Sequence, residues 1–262
     1  GITELAAVNL HGTSVTDAGL GRLVGQAVLQ YVNLNSCRNI TSAGVARLAK
    51  LQQLETLTLE RTGIRRLEPF VQFRQLRELD LRECPHVADA ELAHLAKMPD
   101  LEGLVLNGTP VSDAALPLLA QSSSLRKLTL HNTRVTDAGL AALAAHPSLD
   151  YVFVRGGDGV TVPGLARLAG SSPQLVVSSQ IFGDFSRAKT QLQGERLTPA
   201  DIAALEQIAG LEKLQIYPVS AQHLHAIARL SSLQELQLTS QFPELAEEAL
   251  LLLATLPHLR KL

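Results

Sequence analysis

One spacing constrains this chain more than any other feature: the pattern apolar-x-x-apolar-x-apolar returns along nearly its whole length. It stands at Leu5/Val8/Leu10, Leu29/Val32/Leu34, Leu54/Leu57/Leu59, Leu76/Leu79/Leu81, Leu101/Leu104/Leu106, Leu125/Leu128/Leu130 and Leu149/Val152/Val154. After a disturbed copy near Leu175 it resumes at Leu211/Leu214/Ile216 and Leu233/Leu236/Leu238. The first positions advance by 24, 25, 22, 25, 24 and 24 residues, then by 26, 36 and 22. A fixed period of this size marks one supersecondary unit stacked on copies of itself, because a single copy cannot bury its apolar face alone.

Each copy reads as a short strand, a turn and a short helix. The last two apolar positions are two apart, so they point to one side while the residue between them points to the other. The second half is clearest in Val15-Thr16-Asp17-Ala18-Gly19-Leu20 and Val135-Thr136-Asp137-Ala138-Gly139-Leu140, followed by apolar residues at helical spacing, Leu23 and Leu143. The position of Thr16 recurs as Thr41, Ser112, Thr136, Thr161, Thr198 and Ser220. A side-chain oxygen there can accept from the free amides of a helix start, and Asp17, Asp113 and Asp137 just after it suit the positive helix end. These Thr-Asp pairs are therefore expected to be helix caps, not metal ligands.

On these residues the chain resembles the leucine-rich repeat proteins over nearly its whole length, and its Val-Thr-Asp-Ala-Gly-Leu segments are similar to the cysteine-containing subfamily. Cys37 before Ile40-Thr41 and Cys84 before Val87 match that subfamily's residue after the strand, each with one extra residue in the turn; Thr13, Thr62, Thr109 and Thr133 hold the position elsewhere. The resemblance implies an α/β leucine-rich repeat solenoid, a right-handed horseshoe of about ten repeats, with parallel strands on the concave face and short helices on the convex face. It also implies a binding role. Relatives include substrate-recognition arms of ubiquitin ligases and effectors that bacteria deliver into host cells, although no F-box-like segment is visible here. Fold alone does not name a function.

The organisation expected is a single leucine-rich repeat domain over 1–262, regular over 1–174, irregular with an insertion over 175–210, and regular again over 211–262. In the irregular copy the apolar positions fall on Ser178 and Gln180, and residues 181–196 form the excursion. Such an excursion is either a functional projection or a tolerated defect, since lengthening a loop costs little; Phe182 and Phe185 are candidates to tuck back onto the solenoid. The Gly1-Ile2-Thr3-Glu4 start and the stop within another copy read as an excised piece of a longer chain, with more chain or a partner over at least one end.

Chemistry is tested and set aside. Cys37 and Cys84 sit in equivalent positions two repeats apart, about 10 Å at the spacing of parallel strands, beyond disulfide reach; free thiols favour an intracellular or otherwise reducing setting. His11 and His131 are five repeats apart, and His223 and His225 diverge on a helix instead of forming an i, i+4 metal pair. Gly156-Gly157-Asp158-Gly159 lacks the Lys-Ser/Thr of a phosphate loop, Pro85-His86 is a turn, and no Gly-x-Ser-x-Gly elbow occurs. No catalytic residue, metal or cofactor is expected, and the segment is not expected to be an enzyme. With 23 Lys+Arg against 25 Asp+Glu and a net charge of −2, nucleic acid and membrane surfaces are not expected as partners. No apolar run approaches the length of a membrane span.

What remains is the concave face. The frame turns Tyr151, Phe153 and Arg155 outward, joined by Lys127 and His131 one repeat before and Tyr217 beyond the interruption, as an aromatic and basic zone. A charged zone gathers Glu60, Arg61, Glu78, Asp80, Arg82 and Glu83. Aromatic and Arg side chains anchor protein interfaces. The bland alternatives are contact with the inserted loop for the aromatic zone and internal ion pairing for the charged one. The expected function is a protein-protein interaction module binding a protein or peptide partner on this face, through Tyr151, Phe153, Arg155, His131, Lys127, Tyr217, Arg82 and Glu60. The alternative is a substrate-recognition arm of a bacterial effector or ubiquitin-ligase component whose enzymatic or adaptor domain lies outside this segment; a structural spacer is a third.

Overall fold

Residue-by-residue alternation of buried and outward side chains sets the architecture. The computed structural model describes residues 4–154, 159–179, 183–186, 190–193, 197–217, 221–238 and 251–262, and the chain divides into two units, Gly1–Leu149 and Asp150–Leu262.

The first unit carries six strands, β1 (Ala7–Asn9), β2 (Tyr31–Asn33), β3 (Thr56–Thr58), β4 (Glu78–Asp80), β5 (Gly103–Val105) and β6 (Lys127–Thr129). All five pairings are parallel, and Ala7 faces Tyr31, which faces Thr56, Glu78, Gly103 and Lys127 in turn. This register advances by 24, 25, 22, 25 and 24 residues, the steps of the sequence pattern. Each strand is followed by helix or 3-10 turn: α1 (Asp17–Leu20), α2 (Ser42–Leu48), a 3-10 turn at Glu68–Gln72, α3 (Leu92–Leu95), α4 (Leu116–Leu119) and α5 (Asp137–Ala141). Between sheet and helices, Val32, Leu57, Leu79, Leu104 and Leu128 form one buried column and Leu34, Leu59, Leu81, Leu106 and Leu130 the next.

Each turn after a strand is closed in the same way. Gly12, Ser36, Arg61, Glu83, Gly108 and Asn132 all have positive φ, four of them without being glycine. That left-handed step lets the next residue fold inward, where the hydroxyls of Thr13, Thr62, Thr109 and Thr133 donate to the carbonyl three residues back. The two cysteines fill the same column but donate across to the preceding repeat, Cys37 Sγ to the Leu10 carbonyl at 3.0 Å and Cys84 Sγ to the Leu59 carbonyl at 3.1 Å. Both thiols are free and fully buried, and burial pushes the Cys84 thiol up.

The caps do more than the sequence suggests. Thr41, Ser112, Thr136, Thr161 and Thr198 accept amides at their own helix starts. Thr16 makes no such side-chain bond, and Ser220 lies outside the described residues. The aspartates reach forward to the next repeat: Asp17 accepts from the Thr41 amide (2.9 Å) and hydroxyl (2.6 Å), Asp113 from those of Thr136 (2.7 Å each), and Asp89 from those of Ser112 (2.8 and 2.5 Å). Gly44 and Gly139 make room for this contact, because a Cβ on either would run into the Asp17 or Asp113 carboxylate.

The second unit has the six-stranded order β7 (Tyr151–Val154), β8 (Val176–Ser179), β9 (Gly183–Phe185), β10 (Thr190–Gln193), β11 (Lys213–Tyr217) and β12 (Glu235–Leu238). Helices α6 (Val162–Gly170), α7 (Pro199–Ala203) and α8 (Ala221–Ile227) follow β7, β10 and β11. Among the described residues the insertion contributes strands to the sheet. β9 runs antiparallel to both neighbours, and β10 returns parallel to β11 with Thr190 opposite Leu214, a step of 24 residues. Thus β10 is the missing regular copy, displaced by one antiparallel strand. Val177 faces Phe185, and Phe185 and Thr190 are fully buried. The spacing places Ser178 and Gln180 inward; the register instead buries Val177 and Ser179, because only one residue separates Leu175 from the first inward position. Phe182 lies outside the described residues.

Candidate functional site

The sheet face away from the helices is the surface this fold leaves open, and it differs between the units. In the first unit, part of its polar character is structural. Asn9, Asn33 and Asp80 accept the amide two residues on, from His11, Asn35 and Arg82 at 3.0, 2.9 and 2.9 Å. Asn35 and Asn107 reach across to the Glu60 and His131 amides at 2.9 and 2.8 Å. These side chains replace the ladder bonds lost where a three-residue strand ends.

The charged zone is internally paired. Arg82 grips Asp80, with Nη2 at 2.6 Å from Oδ2, and Arg61 takes both oxygens of Glu83 at 2.7 and 2.8 Å while its Nη1 lies 3.3 Å from Glu60. Arg61, Arg82 and Glu83 are largely exposed, where such pairs contribute little to stability. Glu78 leans over Gly103, the one position of its column without a side chain. Burial pushes its carboxyl up against the pull of the Lys127 ammonium, with Glu102 adding to the rise. Lys127 is exposed and His131 half-buried.

In the second unit Tyr151 and Phe153 are half-buried and outward, flanked on β8 by Val176 and Ser178. Tyr217 is 44% exposed on β11. β8, β9 and β10 intervene, so Phe153 and Tyr217 stand four strand steps apart, about 19 Å at the usual inter-strand distance. One partner side chain cannot touch both. Arg155 lies outside the described residues. The antiparallel β9 adds exposed Asp184 to the column of Phe153 and Ser178, a site residue the repeat pattern cannot reveal because that pattern reads only parallel copies. Farther along, Lys213 and Lys261 both hold Glu235, at 2.9 and 2.5 Å, and pull its carboxyl down to about 2. Gln215, Gln237 and these three line a groove of about 370 Å³.

Among the described residues no group of three or more His, Cys, Asp or Glu side chains could hold a metal ion, and no helix is long and apolar enough to cross a membrane. His223 is buried with Nε2 2.9 Å from the Leu197 carbonyl.

Solved structures carry the same architecture. An internalin, InlF, of Listeria monocytogenes aligns with a TM-score of 0.53 at 16% identity, covering 98% of this chain and 86% of that one. Internalin C2 of the same organism aligns at 0.52 with 20% identity, covering 89% and 80%. The fold is a leucine-rich repeat solenoid. A TLR13–ssRNA13 complex aligns at 0.50 with 20% identity over 90% of this chain and 31% of TLR13. No protein-family model and no curated protein matches the sequence. One expectation is overturned: a net charge of −2 does not exclude nucleic acid, because a chain of this same fold is seen in complex with single-stranded RNA. Charge summed over a solenoid says little about any one face of it.

Proposed function

We propose that the chain is a non-enzymatic binding module that takes a protein or peptide partner on the outward face of its strands. The supporting observation is the second unit's sheet: among the described residues the inserted strands bury Phe185 and Thr190 and turn Asp184 outward opposite Ser178, so β9 extends the outward face that carries Tyr151 and Phe153. Half-buried aromatics on such a face are preordered anchors, with less side-chain entropy left to lose on binding. Within the reading, Tyr151, Phe153 and Arg155 form the principal anchor of the second unit, and Lys127 and His131 belong to the first unit's own strand face. Tyr217 forms a separate contact, and Arg82 and Glu60 contribute least because they are already paired.

The finer family assignment proposed is the cysteine-containing subfamily, supported by the shared inward column of Cys37, Cys84 and four threonines. Affinity capture with the intact chain, followed by cross-linking, tests the binding reading. Cross-links from Lys127 and Lys213 to the partner are expected; cross-links confined to helix-side lysines such as Lys50 and Lys97 contradict it, and a captured nucleic acid replaces the protein partner.

A further inference from the structure

A second site follows from turn lengths in the first unit, independent of the strand face. The turns after β2 and β4 each carry an extra residue, in Cys37-Arg38-Asn39-Ile40 and Cys84-Pro85-His86-Val87, whereas the turn between them, Thr62-Gly63-Ile64, is shorter. Two long turns flanking a short one leave a trough. Its floor is Thr62 and Gly63, with Arg38 on one side, Pro85 and His86 on the other and Arg61 and Glu83 at one end, around an open depression of about 330 Å³. The floor stays low because Gly63 has no side chain and its amide is tied to the Ile40 carbonyl at 2.9 Å.

The trough brings donors and acceptors together: Arg38 and His86 line it, and the Ile40 and Arg38 carbonyls border the open side of Gly63. Arg65 Nη2 lies 3.2 Å from His86 Nε2. A guanidinium can only donate, so this ring nitrogen accepts and the His86 proton sits on Nδ1 as a further donor. Glu83, the single carboxylate lining the trough, is already gripped through both oxygens by Arg61. Among the described residues Arg38, which lines the trough, and Arg65, which reaches the His86 ring in its wall, form no ion pair, so two guanidiniums carry uncompensated charge. Fork-shaped donors of this kind suit a phosphate's oxygens.

We propose that this trough binds a phosphomonoester dianion carried on a side chain of a partner protein. Two unpaired charges match one phosphomonoester, which carries close to two negative charges at neutral pH. A polyphosphate strand fits less well, since Arg61 and Arg66 are already held by Glu60, Glu83 and Glu91 and offer no free charge to neighbouring phosphates.

The test is a nuclear magnetic resonance titration of the intact chain with phenyl phosphate, read at the Gly63 and His86 amides. Saturable shifts with a dissociation constant of about 1–10 mM are expected, an ordinary range for so small a ligand. Arg38→Gln and Arg65→Gln should each weaken binding about fivefold or more, Arg38→Lys should fall between, and Arg22→Gln should change nothing. Phenyl sulfate, a monoanion of the same shape, should bind about fivefold more weakly. Equal affinity for the two anions, indifference to Arg38→Gln and Arg65→Gln, or no shift at Gly63 overturns the proposal. So does tighter, steeply salt-dependent binding of an oligouridylate at the same amides, which would make the site an RNA contact. Tyr151→Ala with Phe153→Ala should leave the phosphate titration unchanged, so this site and the strand-face reading fail separately.

Discussion

At the scale of single residues, two features have measurable consequences. Ser36 holds the left-handed turn position with φ 60°, where its Cβ is crowded and glycine is not. Ser36→Gly should raise stability by about 0.5–1 kcal/mol in denaturant unfolding, the relief of strain exceeding the entropy that glycine adds to the unfolded chain; a loss of stability would show that the turn tolerates serine without strain. His146 is 8% exposed, its Nδ1 accepts the Ser148 amide, and burial lowers its pKa from 6.5. The unfolded chain therefore binds the proton more readily, so this contribution is present above the unfolded value and lost as pH falls through the folded one. The melting temperature should fall between about pH 7.5 and 5, and less steeply in His146→Gln. An unchanged slope in that variant would assign the pH dependence to other histidines.

Between elements, a recurring coupling is the aspartate of one repeat docking against the glycine of the next. Ala normally outranks Gly in a helix by about 1 kcal/mol, yet at Gly139 the added Cβ meets the Asp113 carboxylate. Gly139→Ala should therefore cost about 1–2 kcal/mol in the wild type and become neutral or stabilising in an Asp113→Ala background, a double-mutant cycle that additivity would contradict. The inserted strand gives the second test. Phe185 is fully buried opposite Val177, so Phe185→Ala should cost about 3–5 kcal/mol by thermal or chemical unfolding. Replacing 181–196 with a short Gly/Ser link should be comparably damaging. A mild effect of both would make these strands an ornament on the sheet. The sequence exposes the first unit down to its register, because every copy there is parallel and the leucine column repeats. It could not expose β9: an antiparallel strand reverses the order of its inward residues, and Thr190, a polar residue in a leucine's place, hides the copy that follows. The forward reach of Asp17 and Asp113 was hidden for a related reason, since a helix-start aspartate looks the same whether it serves its own repeat or the next.

At the scale of the molecule, the same division governs function. Which residues face outward follows from the period; which of them can act together depends on how many strands lie between them. That is why Tyr217 separates from Tyr151 and Phe153, and why the paired Arg82 and Glu60 contribute less than their charges suggest. Charge reversal at Arg82 and Glu60 should therefore alter partner binding modestly and chiefly at low salt. The most direct measurement is partner affinity and melting temperature side by side for Tyr151→Ala with Phe153→Ala. Binding should weaken at least about tenfold, the loss typical of a central anchor, with the melting temperature nearly unchanged. A variant that melts many degrees lower and still binds would place these rings in the core and the binding surface elsewhere.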